Sequence, residues 1–352
     1  MNKKMKLCVL FGGHSSEYEV SLTSAYSVLK NANTARYDIL PIGITREGAW
    51  HLFTGDYEKI RDGSWCDTAS LLPSVTVDLT PGSQSLLITK PDGTCEKQKV
   101  DVVFPVLHGA YGEDGTVQGM LSLAGIPFVG CGCASSVVCM DKSLTKLPVN
   151  QAGVKQASFI LVRKSDDKAA IIEKAERAIG YPMFVKPARA GSSVGISKAK
   201  DQNGLRAALE KAFLEDEKVL IEETIVGREI EVAVLDEKGK YTVSDCAEID
   251  AGAEFYDYDA KYVSDCSTFY IPARLSKETR DEVRRQAEII FKALDCRTLS
   301  RVDFFVKEDG EILFNEINTL PGFTPISMYP KLMMAAGLTY PQLIDRLIDA
   351  SL

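Results

Sequence analysis

Apolar residues fall in short runs broken by Gly, Ser and Asp, and their period switches between that of a strand and that of a helix. Leu7–Phe11 is a continuous apolar run, as a strand covered on both faces requires. Gly12-Gly13 ends it, and Ser15-Ser16 can cap a helix running from Glu17 to about Asn31. Tyr37–Ile44, interrupted by Pro41, Val102–Val106 and Ile126–Val129 read as further strands, with a helix over Asp114–Ala124. Alternation of this kind predicts an N-terminal open parallel sheet. A second unit follows, with helices over Ser135–Ala152, Asp166–Ile179 and Asn203–Leu214, and strands over Ser158–Val162, Met183–Lys186 and Lys218–Glu223. Pro148 is expected to kink the first of these helices. The third unit holds strands near Glu229–Asp236 and Tyr241–Ala247, a Tyr/Asp-rich stretch Asp250–Cys266, a helix over Lys277–Leu294, two more strands and a helical tail. A stretch that long without a period of its own is usually functional or disordered. The predicted class is α/β, grading to α+β in the central and C-terminal parts, with units at 1–132, 133–226 and 227–352.

A chain of 352 residues exceeds what one core usually serves, in keeping with several units. The formal charge of −8 speaks against nucleic acid and anionic membranes as partners, so a phosphate-bearing ligand needs a locally basic pocket. The nine cysteines are an odd number and lack paired C-x-x-C spacing, which fits free thiols in a reducing cytosol better than disulfides or zinc. No apolar run reaches the roughly 20 residues of a membrane helix, and no targeting segment is recognisable. A cytoplasmic protein is expected.

The chemistry concentrates in Ser300–Asn318. Two alternating runs flank Asp309-Gly310, a strong signal for a two-residue hairpin turn. That register sets Asp303 opposite Glu316 and Arg301 opposite Asn318, all on one face. Carboxylates facing each other at roughly 5 Å repel, unless they point into water or share a cation. Oxygen-only donors favour Mg²⁺ completed by phosphate and water. Upstream, a strand ending in Lys186 enters the small-residue loop Ala188–Gly195, which can close on phosphate oxygens although it also reads as an ordinary turn. It is not a Walker A loop. The G-G-H-S-S-E run after the first strand lacks the G-x-G-x-x-G fingerprint of a dinucleotide oxidoreductase. Lys142 and Lys146 can add positive charge, and the strand end Leu220–Ile225 followed by Glu229 suits recognition of a base and a ribose.

Several segments in this order resemble the D-alanine–D-alanine ligases of the ATP-grasp superfamily, including the related ligases of vancomycin resistance. They are Phe11-Gly12-Gly13 with Ser16–Ser21, Leu107-His108-Gly109 with Gly112–Thr116, Met140-Asp141-Lys142, Lys186-Pro187 with Gly191–Gly195, Tyr256–Tyr258 with Lys261-Tyr262, Arg301-Val302-Asp303, and Asn315–Thr324. The resemblance implies a three-domain ATP-grasp enzyme that joins two D-alanines through a D-alanyl phosphate, using ATP and two Mg²⁺ ions that Mn²⁺ can replace. It implies that Asp303, Glu316 and Asn318 hold the metal. Lys142, Lys186, Ser193, the hinge Glu222, Glu223, Thr224 and Ile225, the ribose ligand Glu229, Lys261 and Phe305 would bind the nucleotide. Glu17, Ser192 and Tyr262 would form a triad at the first D-alanine, with Ser21 and His108 nearby. Ser327 and Met328 would hold the second carboxylate, and Arg301 with the Gly322 N–H would stabilise the tetrahedral oxyanion. The stretch 250–266 would be a lid. Apolar Met328 favours D-alanine over D-serine as second substrate. Small-molecule partners and a homodimer are implied, and a non-catalytic nucleotide-binding module is the competing reading.

Overall fold

The computed structural model describes residues 3–250 and 268–352, so Lys261, Tyr262 and nearly all of the expected lid lie outside the described residues. Within them, strands form three sheets. In the first, Met5–Gly12 pairs in parallel with Tyr37–Ile44 and Val102–Pro105. The apolar run faces two cores. Leu7, Val9 and Phe11 pack with Leu22, Val28 and the C-terminal helix Tyr340–Ser351, whereas Cys8 and Leu10 pack with Val117 and Leu121. Beyond Tyr37–Ile44 the sheet continues antiparallel through Trp50–Leu52, Ser74–Val77, Ser85–Thr89 and Cys95–Lys99. The expected parallel sheet is therefore the central part of a mixed one. These added strands are short and bury alternate residues such as Val75, Leu86 and Ile88, so they lack the continuous apolar run that marks a parallel strand. The run 126–129 contributes only an isolated bridge between Val103 and Phe128.

The second sheet is antiparallel, in the order Ser197–Ala199, Met183–Pro187, Lys218–Glu223, Phe159–Arg163. Val185, Val219 and Ile221 on one face pack against helices Lys168–Ala178 and Gln202–Glu215. Alternation leaves Phe184, Lys186 and Glu222 on the other face, which looks toward the third sheet across a cavity. The helix expected over 135–152 is two helices, Cys133–Met140 and Lys142–Gln151. Asp141 makes the break: its backbone is extended and its carboxylate accepts the Ser143 and Leu144 N–H groups, capping the second helix. Pro148 is accommodated inside that helix, so the interruption falls at Asp141 instead.

In the third sheet Arg228–Glu237 lies between Ala247–Asp250 and Leu299–Val306, and Leu299–Val306 pairs with Ile312–Asn318. The pairs Asp303–Glu316 and Arg301–Asn318 are those expected, yet the route to them differs. The Lys307 N–H bonds the Glu311 carbonyl and the Gly310 N–H bonds Lys307, so the turn is one residue longer than a two-residue hairpin, with Gly310 at φ +86°. Phe304 pairs with Phe314, and Asn315 is then an extra residue before Glu316 meets Asp303. The apolar pattern explains it. Ile312, Phe314 and Ile317 all belong to the core beneath helix Lys277–Ala293, and residues of mixed parity share a face only if a bulge intervenes. The Phe314 N–H turns outward to the Lys155 carbonyl at 2.8 Å. None of the described helices is long and apolar enough to cross a membrane.

Candidate active site

Two cavities meet along a common wall. The smaller, about 140 Å³, is bounded by Glu17, His108, Glu113, Arg301, Gly322 and Met328, among others. The larger, about 920 Å³, lies between the second and third sheets. Lys142, Ala190, Gly191, Ser192 and Glu316 belong to both. A ligand filling the large cavity thus ends against whatever occupies the small one.

In the small cavity the Ser192 hydroxyl donates to Glu17 Oε1. Room for that carboxylate depends on two glycines: a Cβ at Gly109 would lie 2.7 Å from Glu17 Oε2, and one at Gly191 would lie 2.9 Å from it. Ser192 and Ser193 both have positive φ, +47° and +60°, so the loop is held in a conformation that costs energy. Glu113 accepts the Gly109 N–H at 2.7 Å; burial, then the Glu17 charge, push its carboxyl up. His108 is buried, which lowers its imidazole, and its Nδ1 lies 3.1 Å from the Leu320 carbonyl. Ser21 is not brought to the cavity. Its fully buried hydroxyl accepts the Gly12 N–H at 2.8 Å and donates to the Val106 carbonyl, tying the first helix to the sheet.

Arg301 crosses the floor. Its guanidinium forks onto Asp303 at 2.8 and 2.7 Å, and its Nε is 3.1 Å from Glu231. Burial alone would lower it, but these carboxylates hold it well above its usual value. The Asn318 amide donates to Asp303 at 3.2 Å. Asp303, Glu316 and Asn318 are thus brought together with Arg301, and they offer oxygen donors alone. That set fits a hard divalent cation, and Arg301 eases the repulsion between the facing acids. Ser327, at the start of helix Met328–Ala335, has its Oγ 2.7 Å from the Thr324 hydroxyl and accepts the Thr324 N–H at 3.0 Å. A Cβ at Gly322 would sit 2.6 Å from that oxygen.

In the large cavity the buried Glu222 carboxylate lies 3.0 Å from Lys146 Nζ and 2.8 Å from Lys186 Nζ. Burial would raise Glu222, yet Lys186 and then Lys146 hold it at about 2. The Lys142 ammonium donates to the Ala190 carbonyl at 2.7 Å. Glu223 borders the cavity with its carboxylate engaged by the Ser158 N–H at 2.7 Å, while Thr224 and Ile225 form the edge and Glu229 and Phe305 the far wall. The Thr224 hydroxyl is buried with no hydrogen-bond partner, an orphan donor where a base would lie. The sequence pattern singled out neither Glu231 nor Glu113 as a site residue. A charged residue on the apolar strand Arg228–Glu237 was the available signal for Glu231.

A family model for the D-ala D-ala ligase N-terminus matches residues 6–131, and one for the D-ala D-ala ligase C-terminus matches 149–349. A D-alanine–D-alanine ligase of Caldicellulosiruptor bescii is 48% identical, over 99% of this chain and 95% of its own. One of Clostridium acetobutylicum is 47% identical over 98% and 97%. Among solved structures, the VanG D-Ala:D-Ser ligase of Enterococcus faecalis has a TM-score of 0.91 at 43% identity, covering 99% of this chain and all of the other. With both halves matched in order and full-length relatives near half identity, the chain belongs to the D-alanine–D-alanine ligase family.

Proposed function

We propose that this protein joins two molecules of D-alanine into D-alanyl-D-alanine, releasing ADP and phosphate, for cell-wall precursor synthesis. The observation that carries the reading is the common wall: Glu17 and Ser192 lie in a cavity of amino-acid size that opens at Lys142, Gly191 and Glu316 onto one of nucleotide size.

ATP lies in the large cavity, its base on the Thr224–Ile225 edge over Phe305, its ribose at Glu229, and its phosphates on Lys142, Lys186 and the Ser193 loop. Asp303, Glu316 and Asn318 would hold Mg²⁺ there, and the bound ions would supply positive charge for the transferred phosphoryl group. The first D-alanine anchors its ammonium on Glu17, beside Ser192 and Tyr262, with His108 at its side. Its carboxylate attacks the γ-phosphorus, giving D-alanyl phosphate and ADP. The second D-alanine lays its carboxylate at the start of helix Met328–Ala335, beside Ser327, where free backbone N–H groups favour an anion. Its amine attacks the acyl carbon, and phosphate leaves. Arg301 and the Gly322 N–H lie where the tetrahedral oxyanion forms, contacts worth about 3–4 kcal/mol per donor in acyl transfer. Because acyl phosphates hydrolyse, water must be kept out; this falls to the stretch carrying Lys261 and Tyr262, acting as a lid. The working units are 1–132, 133–226 and 227–352, in a cytoplasmic homodimer.

The deciding experiment supplies ATP, Mg²⁺ and D-alanine, measures ADP release, and identifies the product by mass. Release should need all three, with Mn²⁺ able to replace Mg²⁺. ATP binding without D-alanine-dependent ADP would reduce the protein to a nucleotide-binding module. The likeness to VanG makes D-serine the competitor to include. With buried, apolar Met328 at the second subsite, D-alanyl-D-alanine should dominate the product at equal concentrations; a D-alanyl-D-serine majority would reassign that subsite.

A further inference from the structure

Ser24 lies within the first helix, Tyr18–Asn31, fully buried, and is absent from the walls of both cavities. Its hydroxyl nevertheless holds His108, which lines the small cavity, and the backbone of Phe323, the residue after Gly322 of that wall. It accepts the Phe323 N–H at 3.1 Å and lies 3.2 Å from His108 Nε2. His108 Nδ1 lies in turn 3.1 Å from the Leu320 carbonyl. One placement of protons satisfies all three contacts. The Leu320 carbonyl can only accept, so Nδ1 carries the hydrogen. In a neutral ring Nε2 then accepts, and the Ser24 O–H donates to it. Burial lowers the imidazole and favours that neutral form.

The result is a closed ring of hydrogen bonds that leaves the segment at Leu320 and re-enters it at Phe323. Gly322 sits inside the bracket. The remaining side of the Phe323 residue is held as well, since the Tyr340 hydroxyl donates to its carbonyl at 2.6 Å. The Phe323 ring meets Phe104 edge-on at 5.5 Å. The bonds at the Leu320 carbonyl, the Phe323 N–H and the Phe323 carbonyl fix backbone.

We propose that Ser24 is a positioning residue for the second, bond-forming step, aligning the Gly322 N–H through the Phe323 peptide and through the tautomer of His108. This rests on the assignment of Gly322 as an oxyanion donor in the ligase reading above. The oxyanion exists only after the second amine attacks. Loss of alignment should therefore spare binding and acyl-phosphate formation while slowing ligation. Displacements of about 1 Å in such sites cost up to about 100-fold in rate.

The test compares wild type, Ser24→Ala, Ser24→Thr and Tyr340→Phe. It measures dipeptide kcat, KM for both D-alanine subsites, and scrambling of the ATP β,γ-bridging oxygen, which reports reversible acyl-phosphate formation. Ser24→Ala should lower kcat about 10- to 100-fold with scrambling unchanged; because Ser24 also touches His108 at the first subsite, the first-subsite KM should move less than kcat. Ser24→Thr, which keeps the hydroxyl, should recover most of kcat. Tyr340→Phe frees the other side of the same residue and should show the same split, deciding the matter if Ser24→Ala does not fold. Equal loss of scrambling and ligation, or lowered thermal stability at unchanged kcat, overturns the proposal. A wild type that makes no dipeptide would instead overturn the ligase reading itself.

Discussion

Replacing Glu222 by Gln removes the one carboxylate that both Lys146 and Lys186 face at 3.0 and 2.8 Å. All three side chains are largely buried, Lys146 at 3% and Glu222 at 5% exposure. The fall of Glu222 from 4.5 to about 2 corresponds to about 3 kcal/mol at neutral pH, the low end of the roughly 3–5 kcal/mol for breaking a buried pair. Because the folded value lies below the unfolded one, this stability is fully present above about 4.5 and is lost as pH falls toward 2. Glu222→Gln should therefore lower Tm by roughly 4 °C at pH 7, with the gap to wild type closing below pH 4.5. In the variant Lys186 keeps only the more distant Glu316 and Glu229 charges, and on the proposed reading the nucleotide phosphates supply the anion that is missing. A non-hydrolysable ATP analogue should then raise Tm more in the variant than in wild type. Differential scanning fluorimetry across pH, with and without the analogue, reads both effects. A gap at pH 7 under about 2 °C, or one that ignores pH, would refute the claim that the two lysines depend on this carboxylate.

Asp303→Asn should abolish D-alanine-dependent ADP release and also cost about 1–3 kcal/mol of stability, because the Arg301 fork loses its charged partner; normal turnover would remove the metal assignment. Glu17→Gln should raise KM for the first D-alanine by at least about 10-fold, as expected for a hydrogen bond to a charged group, and initial rates against D-alanine concentration check it. Gly109→Ala places a Cβ 2.7 Å from Glu17 Oε2 at φ +70°, so it should reproduce the Glu17 defect with the carboxylate still present. Chelation by EDTA should stop ADP release, and added Mg²⁺ should restore it.

Much of this fold was legible because burial and period agree. Leu7–Phe11 is a strand covered on both faces, and the runs around Asp309-Gly310 set Asp303 opposite Glu316, although a longer turn and the bulge at Asn315 cancel on the way there. What escaped was set by tertiary partners. Nothing local says that Asp141 rather than Pro148 interrupts its helix, since the capping geometry depends on the chain turning there. Repulsion between the paired acids suggested that neutralising either would be nearly free. Arg301, held also by Glu231 on the neighbouring strand, reverses that for Asp303. Ser21 belongs to the motif around Glu17, yet one helical turn further along its hydroxyl is taken up by the Gly12 N–H and the Val106 carbonyl of the sheet. Glu113 and Glu231 join the site through long-range approach, which a single sequence does not display.

The extra turn residue and the extra Asn315 offset each other in the hairpin Leu299–Asn318. The catalytic end is thereby insulated from the distal end. A shorter loop at Asp309-Gly310, taken up by erasing the kink at Asn315, would roll Phe314 out of the core toward the large cavity while Glu316 still met Asp303. A change of loop length there would reshape the wall of the large cavity and leave the pairing of Asp303 with Glu316 in place.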